Sequence, residues 1–124
     1  MFMRMELFVE SLSESANFYT EVLGFAVEKE SEKYTSVRNG HAIIGLGAMT
    51  QLVDNHYLKP KTEMERKGAC VEIVLEVDEI EEYYNKIVKS NYPIHSELTN
   101  RPWGATDFRI VDPDGYYIRI TSKS

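Results

Sequence analysis

Arg119 stands in "YYIRIT" with an isoleucine on either side, in a stretch that otherwise reads as a half-buried strand. A guanidinium stays protonated and has no lone pair, so it cannot ligate a metal. It can bind carboxylates and other oxyanions through its planar fork of N–H donors. A strand arginine is most often a solvent-exposed ion-pair partner; the alternative is a cleft position facing a ligand. Glu72 sits in "CVEIV" with the same choice between a solvated strand face and a cleft. His41, His56 and His95 lie far apart, the second in a polar stretch from which it could swing over a cleft; a solvated histidine is the ordinary reading. Cys70 reads as a small buried hydrophobe rather than a nucleophile. No Ser/His/Asp arrangement stands out, and no glycine-rich phosphate loop follows a strand. "GLG" at 45–47 reads as a bend or bulge.

The elements that must position these groups follow from periodicity. Met3, Met5, Leu7 and Val9 alternate with Arg4, Glu6, Phe8 and Glu10, the period-two pattern of a strand with one buried face. Ser11 and Glu14 form a capping box, and Leu12, Ala16, Tyr19 and Leu23 recur at helical spacing up to Gly24. "FAVEKE", "KYTSVRN" and "HAIIGLGAM" are the next strands, with a type I′ turn predicted at Asn39-Gly40. Residues 50–68 are polar and aperiodic, a linker with room for a short helix. The order then starts again. "ACVEIVLEV" (69–77) predicts a strand with Val71, Ile73, Leu75 and Val77 on one face, and Asp78 and Glu81 a second capping box. Ile80, Tyr84, Ile87 and Val88 give a helical stripe ending near Asn91. Strands at roughly 94–101, 105–112 and 116–122 close the chain, the last two joined by an Asp-Pro-Asp-Gly turn.

The chain is therefore α+β, with two βαβββ modules (1–49 and 69–124) and a linker (50–68) in one domain. Laying Val9 on Val77 also lays Leu7 on Leu75 and Leu12 on Ile80. Side by side, two such halves make a curved mixed sheet with helices outside and a cleft inside. A length of 124 residues suits one domain and supports a core without staples. One cysteine allows no intrachain disulfide, which fits a reducing compartment. The segment "MFMRMELFVESL" is too short and too charged for a signal peptide, and no apolar run approaches a membrane span. A cytoplasmic protein is expected. A net charge of −6 with no basic patch argues against nucleic acid as a partner.

"SESANFYTEVLGF" (13–25), "VEIVLEVDEIEE" (71–82) and "RPWGATDFRIVDPDGYYIRI" (101–120) resemble the vicinal oxygen chelate superfamily of glyoxalase I, extradiol dioxygenases, fosfomycin resistance enzymes and bleomycin resistance proteins. The resemblance implies a cleft in which metal-dependent members hold a divalent ion, with one side chain from the first and last strand of each repeat. The first-strand position, usually His or Gln, falls on Arg4. The last strand of the first repeat, usually contributing Glu, gives about Ile44. The second repeat's first-strand His falls on Glu72, and its final Glu on Arg119. Two arginines and an isoleucine beside one carboxylate make no divalent-cation site. The resemblance thus implies an ion cluster of Arg4, Glu72 and Arg119 in place of the metal, with positive charge left to orient a ligand. In the bleomycin-binding members aromatics line the groove, which places Trp103 in the expected site, with Phe8, Tyr57 and Tyr117 beside it. The opposing reading packs Trp103 at the sheet edge.

These readings predict a metal-free small-molecule-binding protein of the glyoxalase/bleomycin-resistance type. It would sequester a small, partly aromatic ligand through Arg4, Phe8, Glu72, Trp103, Tyr117 and Arg119, without a cofactor. A metal-dependent glyoxalase-like lyase or dioxygenase is the alternative, with a divalent ion as Lewis acid. A metal-free lyase would need Glu72 as general base, which two nearby arginines oppose. A homodimer with two equivalent sites is expected, with no membrane partner.

Overall fold

Leu7 and Val9 are buried on one face of β1 (Met5–Val9), as their alternation with Glu6 and Phe8 demands. The computed structural model describes residues 1–123. The Ser11 hydroxyl then accepts the Glu14 amide at 3.2 Å and starts α1 (Leu12–Asn17). The helix widens into a π turn over Phe18–Val22, where the Leu23 amide reaches the Phe18 carbonyl at 3.2 Å. The Thr20 hydroxyl donates back to the Ala16 carbonyl at 2.8 Å in the same turn, a bond that competes with the regular helical ladder. Gly24 ends the helix at a φ of 79°. Phe18, Tyr19 and Leu23 are buried by this turn, and the Tyr19 ring meets Phe18 and Phe25 edge-on.

Three antiparallel strands follow: β2 (Ala26–Ser31), β3 (Tyr34–Asn39) and β4 (Ala42–Ala48). The sheet order is β1-β4-β3-β2, with β1 parallel to β4. The hairpin lies where Asn39-Gly40 predicts it, but its turn is different. Asn39 pairs with Ala42, so the two turn residues are Gly40 and His41, and positive φ (59°) falls on Gly40 and not on Asn39. That is the glycine-first pattern of a type II′ turn. A 3-10 turn (Met49–Gln51) and a series of turns carry the chain onward. The molecule divides into two compact units after Arg66.

The second unit repeats the order with β5 (Ile73–Val77), α2 (Ile80–Lys89), β6 (Ser96–Asn100), β7 (Thr106–Val111) and β8 (Tyr117–Ser122). Its sheet runs β5-β8-β7-β6, with β5 parallel to β8. Each module is thus a four-stranded mixed sheet with one helix, the α+β pattern of two βαβββ units. Three local expectations are corrected. Residues 69–72 are not strand: Gly68 and Cys70 both take positive φ (67° and 66°), and the Val71 amide closes a turn onto the Gly68 carbonyl. That turn leaves Val71 and Cys70 exposed, so Cys70 is no core residue. The second capping box is absent: Glu79 occupies the N-cap without a side-chain bond, and Asp78 pairs with Lys123 at 3.2 Å.

Under α2 the core is made by alternate residues of two strands. Phe108, Ile110, Ile118 and Ile120 are fully buried, and the Tyr84 ring from the helix meets Phe108 edge-on at 4.9 Å. Each such side chain contributes about 2 kcal/mol by leaving water. The Asp112-Pro113-Asp114-Gly115 turn fixes the register. The Asp112 carboxylate accepts the Asp114 and Tyr116 amides, both at 2.9 Å, and Gly115 takes a φ of 96°. Val111 then faces Tyr117, and Arg109 faces Arg119. Among the described residues no helix is long and apolar enough to cross a membrane.

Candidate functional site

Period-two alternation puts everything that is not core on the opposite face of each sheet. In the second unit that face carries Tyr117, Arg119 and Thr121 of β8 and Asp107, Arg109 and Val111 of β7. Arg109 and Arg119 are direct cross-strand partners, an arrangement that repels unless carboxylates intervene. Two carboxylates do. Glu72, in the chain just before β5, accepts from Arg119 Nε at 3.0 Å on Oε1 and lies 3.5 Å from Arg109 Nε on Oε2. Asp107, fully buried, takes Arg101 Nε and Nη2 at 3.0 and 2.9 Å and Arg109 Nη1 at 3.3 Å, all on Oδ1. Its Oδ2 is 3.9 Å from Arg119 Nη1, an electrostatic contact too long for a hydrogen bond, and it has no hydrogen-bond partner. The three arginine side chains keep between 21 and 26% of their surface exposed.

Arg119 therefore points away from the helix, as its isoleucine neighbours imply, and meets Glu72. Sequence reasoning missed Asp107, Arg109 and Arg101. The signal was present: in "TDFRIV" the apolar Phe108 and Ile110 alternate with Asp107 and Arg109, and the turn register places Arg109 opposite Arg119. Tyr117 is half-buried on the same face and meets His95 edge-on at 5.4 Å. Trp103 is 67% exposed on the tight loop that begins at Arg101, where the Gly104 amide bonds the Arg101 carbonyl at 3.0 Å.

The first unit's polar face is built differently. Arg4, just before β1, pairs with Glu6 of that strand at 3.2 Å. The Tyr34 hydroxyl lies 3.1 and 3.0 Å from the two Glu6 oxygens. Burial, then the hydrogen bond and charge of Glu6, push the Tyr34 hydroxyl above its ordinary pKa. Gly45 faces Glu6 and Gly47 faces Phe8 across the ladder, so neither glycine makes a bend or bulge. Both clear space. A Cβ at Gly45 would land on the Glu6 carboxylate and the Tyr34 hydroxyl, and one at Gly47 would sit 3.1 Å from the Phe8 ring. The two modules also correct a position. Met5 faces Ile44 as Ile73 faces Ile118, so the residue corresponding to Arg119 is Gly45. Ile44 is 2% exposed on the core side. A slip of one residue moves a side chain to the other face.

His41 is exposed in the hairpin turn, and exposed His56 accepts the Leu58 amide on Nδ1 at 3.0 Å. Tyr57 is exposed. Among the described residues no three His, Cys, Asp or Glu side chains converge as a metal site would need. A groove along α2, lined by Asp78, Glu79, Glu82, Tyr83, Lys86 and Lys89 among others, shares no residue with the arginine cluster.

Two mixed sheets, each built from a βαβββ module with its helix on the apolar face, define a paired-module protein. The family model of the Glyoxalase/Bleomycin resistance protein/Dioxygenase superfamily matches residues 2–120, and the chain belongs to that superfamily. Its fold is shared with TioX from Micromonospora sp. ML1 (TM-score 0.79, 17% identity, 98% of each chain covered). A virulence protein from Salmonella typhimurium is similar over 100% of this chain and 97% of its own, at a TM-score of 0.75 and 22% identity. A lactoylglutathione lyase from Agrobacterium tumefaciens is similar over 98% of this chain and 92% of its own, at 0.73 and 17%. No curated protein matches the chain.

Proposed function

We propose that this chain is a metal-free, small-molecule-binding member of its superfamily, which sequesters a small, partly aromatic ligand rather than transforming it. The observation that carries this is the donor set at the four positions where the resemblance places metal ligands. Arg4 and Arg119 have no lone pair to offer, and Gly45 has no side chain. Glu72 is the one ligating group, and two guanidiniums already lie on it at 3.0 and 3.5 Å. A divalent cation there would meet positive charge in place of ligands. Glu72, Tyr117, Arg119 and the exposed Trp103 are the ligand-contacting groups of the second module; Arg4 and Phe8 are those of the first. The same reading expects a homodimer with two equivalent sites, and a light-scattering mass near that of one 14.3 kDa chain would count against that part.

The test is metal analysis of the purified protein, followed by thermal-shift titration with Zn²⁺, Ni²⁺, Mn²⁺ and Fe²⁺ after chelation. A ligand of the native state must raise stability by mass action. No stoichiometric metal and no shift are expected. One tightly held ion per site would overturn the reading and favour a metal-dependent lyase or dioxygenase.

A further inference from the structure

The ion cluster on the second module's polar face is unbalanced. Arg101, Arg109 and Arg119 bring three positive charges, and the carboxylates that contact them, Glu72 and Asp107, bring two negative ones, leaving one positive charge in excess within the cluster; Glu76, on the same face opposite Thr121, forms no ion pair with a described residue. The excess is local, since the whole chain is at −6. Side chains about three-quarters buried cannot leave a charge unmatched without cost. The donors are unbalanced too. The Nε atoms of Arg109 and Arg119 face Glu72 and their Nη1 atoms face Asp107. Their Nη2 atoms make no hydrogen bond to any described residue, and the two arginines are neighbours across the ladder.

Resting on the metal-free reading above, we infer that this face is a binding site for a carboxylate monoanion carrying an aromatic or apolar body. The Nη2 groups of two neighbouring guanidiniums offer one donor each to the two oxygens of a carboxylate, and charge-assisted hydrogen bonds of this kind are the strong ones. One negative charge closes the balance at zero, whereas a phosphate dianion would leave −1. Apolar surface lies beside the charge. Val74, 43% exposed, pairs directly with Arg119, and Tyr117 follows two residues away on the same face. The body of the ligand rests on these two while its carboxylate meets the arginines. The rest of the chain is negative on balance and gives an anion no steering, so affinity comes from contact and survives moderate salt.

The test uses three probes of one shape: benzoate, benzamide and phenyl phosphate. Each is titrated at constant ionic strength into ¹⁵N-labelled protein while the arginine Nε–Hε signals are followed. Benzoate is expected to move Arg109 and Arg119 saturably at millimolar concentration, with benzamide at least about tenfold weaker and phenyl phosphate no tighter than benzoate. Arg119→Lys, which keeps the charge but loses the Nη2 donor, should lose most of the benzoate response. Glu72→Gln should tighten benzoate severalfold by raising the excess charge to two, which a merely structural carboxylate would not do. Equal response to benzamide, no saturation by benzoate, or weaker benzoate binding in Glu72→Gln overturns the inference. Neutral or cationic ligands that shift these signals in metal-free protein would defeat the anion assignment alone. Stoichiometric metal on Glu72 would defeat the functional reading itself.

Discussion

The two sheets share one topology and one register, yet their polar faces solve opposite problems. In the first, Gly45 and Gly47 strip β4 of side chains, and the space is filled by Glu6, Tyr34 and Phe8. In the second, the residue corresponding to Gly45 is Arg119, and the face fills with guanidiniums held by two carboxylates. A repeated backbone thus carries a hydrogen-bonded acid–tyrosine pair on one side and a cationic cluster on the other. The pairing of strands fixes where side chains point; residue choice at a few face positions decides what the face can bind.

The largest expected effect is at Asp107. Its buried carboxylate contacts three arginines, so Asp107→Ala leaves three partly buried cations with a single counter-ion. Removing one partner of a buried ion network costs about 3–5 kcal/mol, and the partial exposure of the arginines argues for about 3. Urea denaturation measures it. A loss below about 1 kcal/mol would mean that solvent already screens the cluster and that the two faces differ less than their charges suggest.

Next comes Gly45→Ala. The backbone there is ordinary strand, so the cost is steric. The Glu6 carboxylate can swing aside, while the Tyr34 ring is less free to move. A loss of about 1–2 kcal/mol is expected, by the overpacking rule. The same denaturation assay checks it, and a neutral outcome would show that the first face has slack and that its glycines are not needed to seat Glu6 and Tyr34.

Much of this was legible in the chain. The doubled βαβββ order, the Ser11 cap, the Gly24 stop and the Asp-Pro-Asp-Gly turn follow from local signals, and local signals survive folding because the hydrophobic pattern agrees with them. Arg119 could be placed on the polar face because its neighbours Ile118 and Ile120 are buried. What could not be read locally depends on register. Ile44 was one residue from the true counterpart of Arg119, because nothing in "HAIIGLGAM" says which residues face the helix until β1 pairs with β4. Asp107 reads as a surface residue in isolation; it is buried because arginines from β7 and from the loop after β6 converge on it. The early strand start at residue 69 failed for another reason. Two residues with positive φ, Gly68 and Cys70, fold a turn into a stretch whose apolar alternation looks unbroken.

A smaller effect separates the modules by pH. In the second, burial pushes Tyr83 and Tyr92 up to about 12, and Asp112 adds to the shift at Tyr92, whose hydroxyl donates to the Val111 carbonyl at 2.5 Å. The folded state prefers the protonated phenol in each case. Their stabilisation is therefore complete below the unfolded value of 10.0 and is lost as pH rises from there through about 12. Stability measured across that window should fall, and Tyr92→Phe should flatten part of the fall while losing about 1 kcal/mol at neutral pH with its hydrogen bond. A pH-independent stability up to about 12 would remove both tyrosines as the cause.

The smallest effect is the most discriminating. Tyr34 is raised first by burial and then by Glu6, through a hydrogen bond and through charge. Glu6→Gln removes the charge and keeps a hydrogen-bond acceptor. The Tyr34 pKa should fall but remain above 10.0, because burial, the larger cause, is unchanged. Tyr83 and Tyr92 should not move, since burial raises both, with the charge of Asp112 adding at Tyr92. Phenol NMR titration resolves the three. If Tyr34 dropped to its ordinary value, charge and not burial would hold it, and the first face would be an electrostatic device like the second. If it did not move at all, the Glu6–Tyr34 pair would be packing alone. An intermediate fall keeps the contrast: a desolvated tyrosine seated over two glycines in one module, and paired charges in the other.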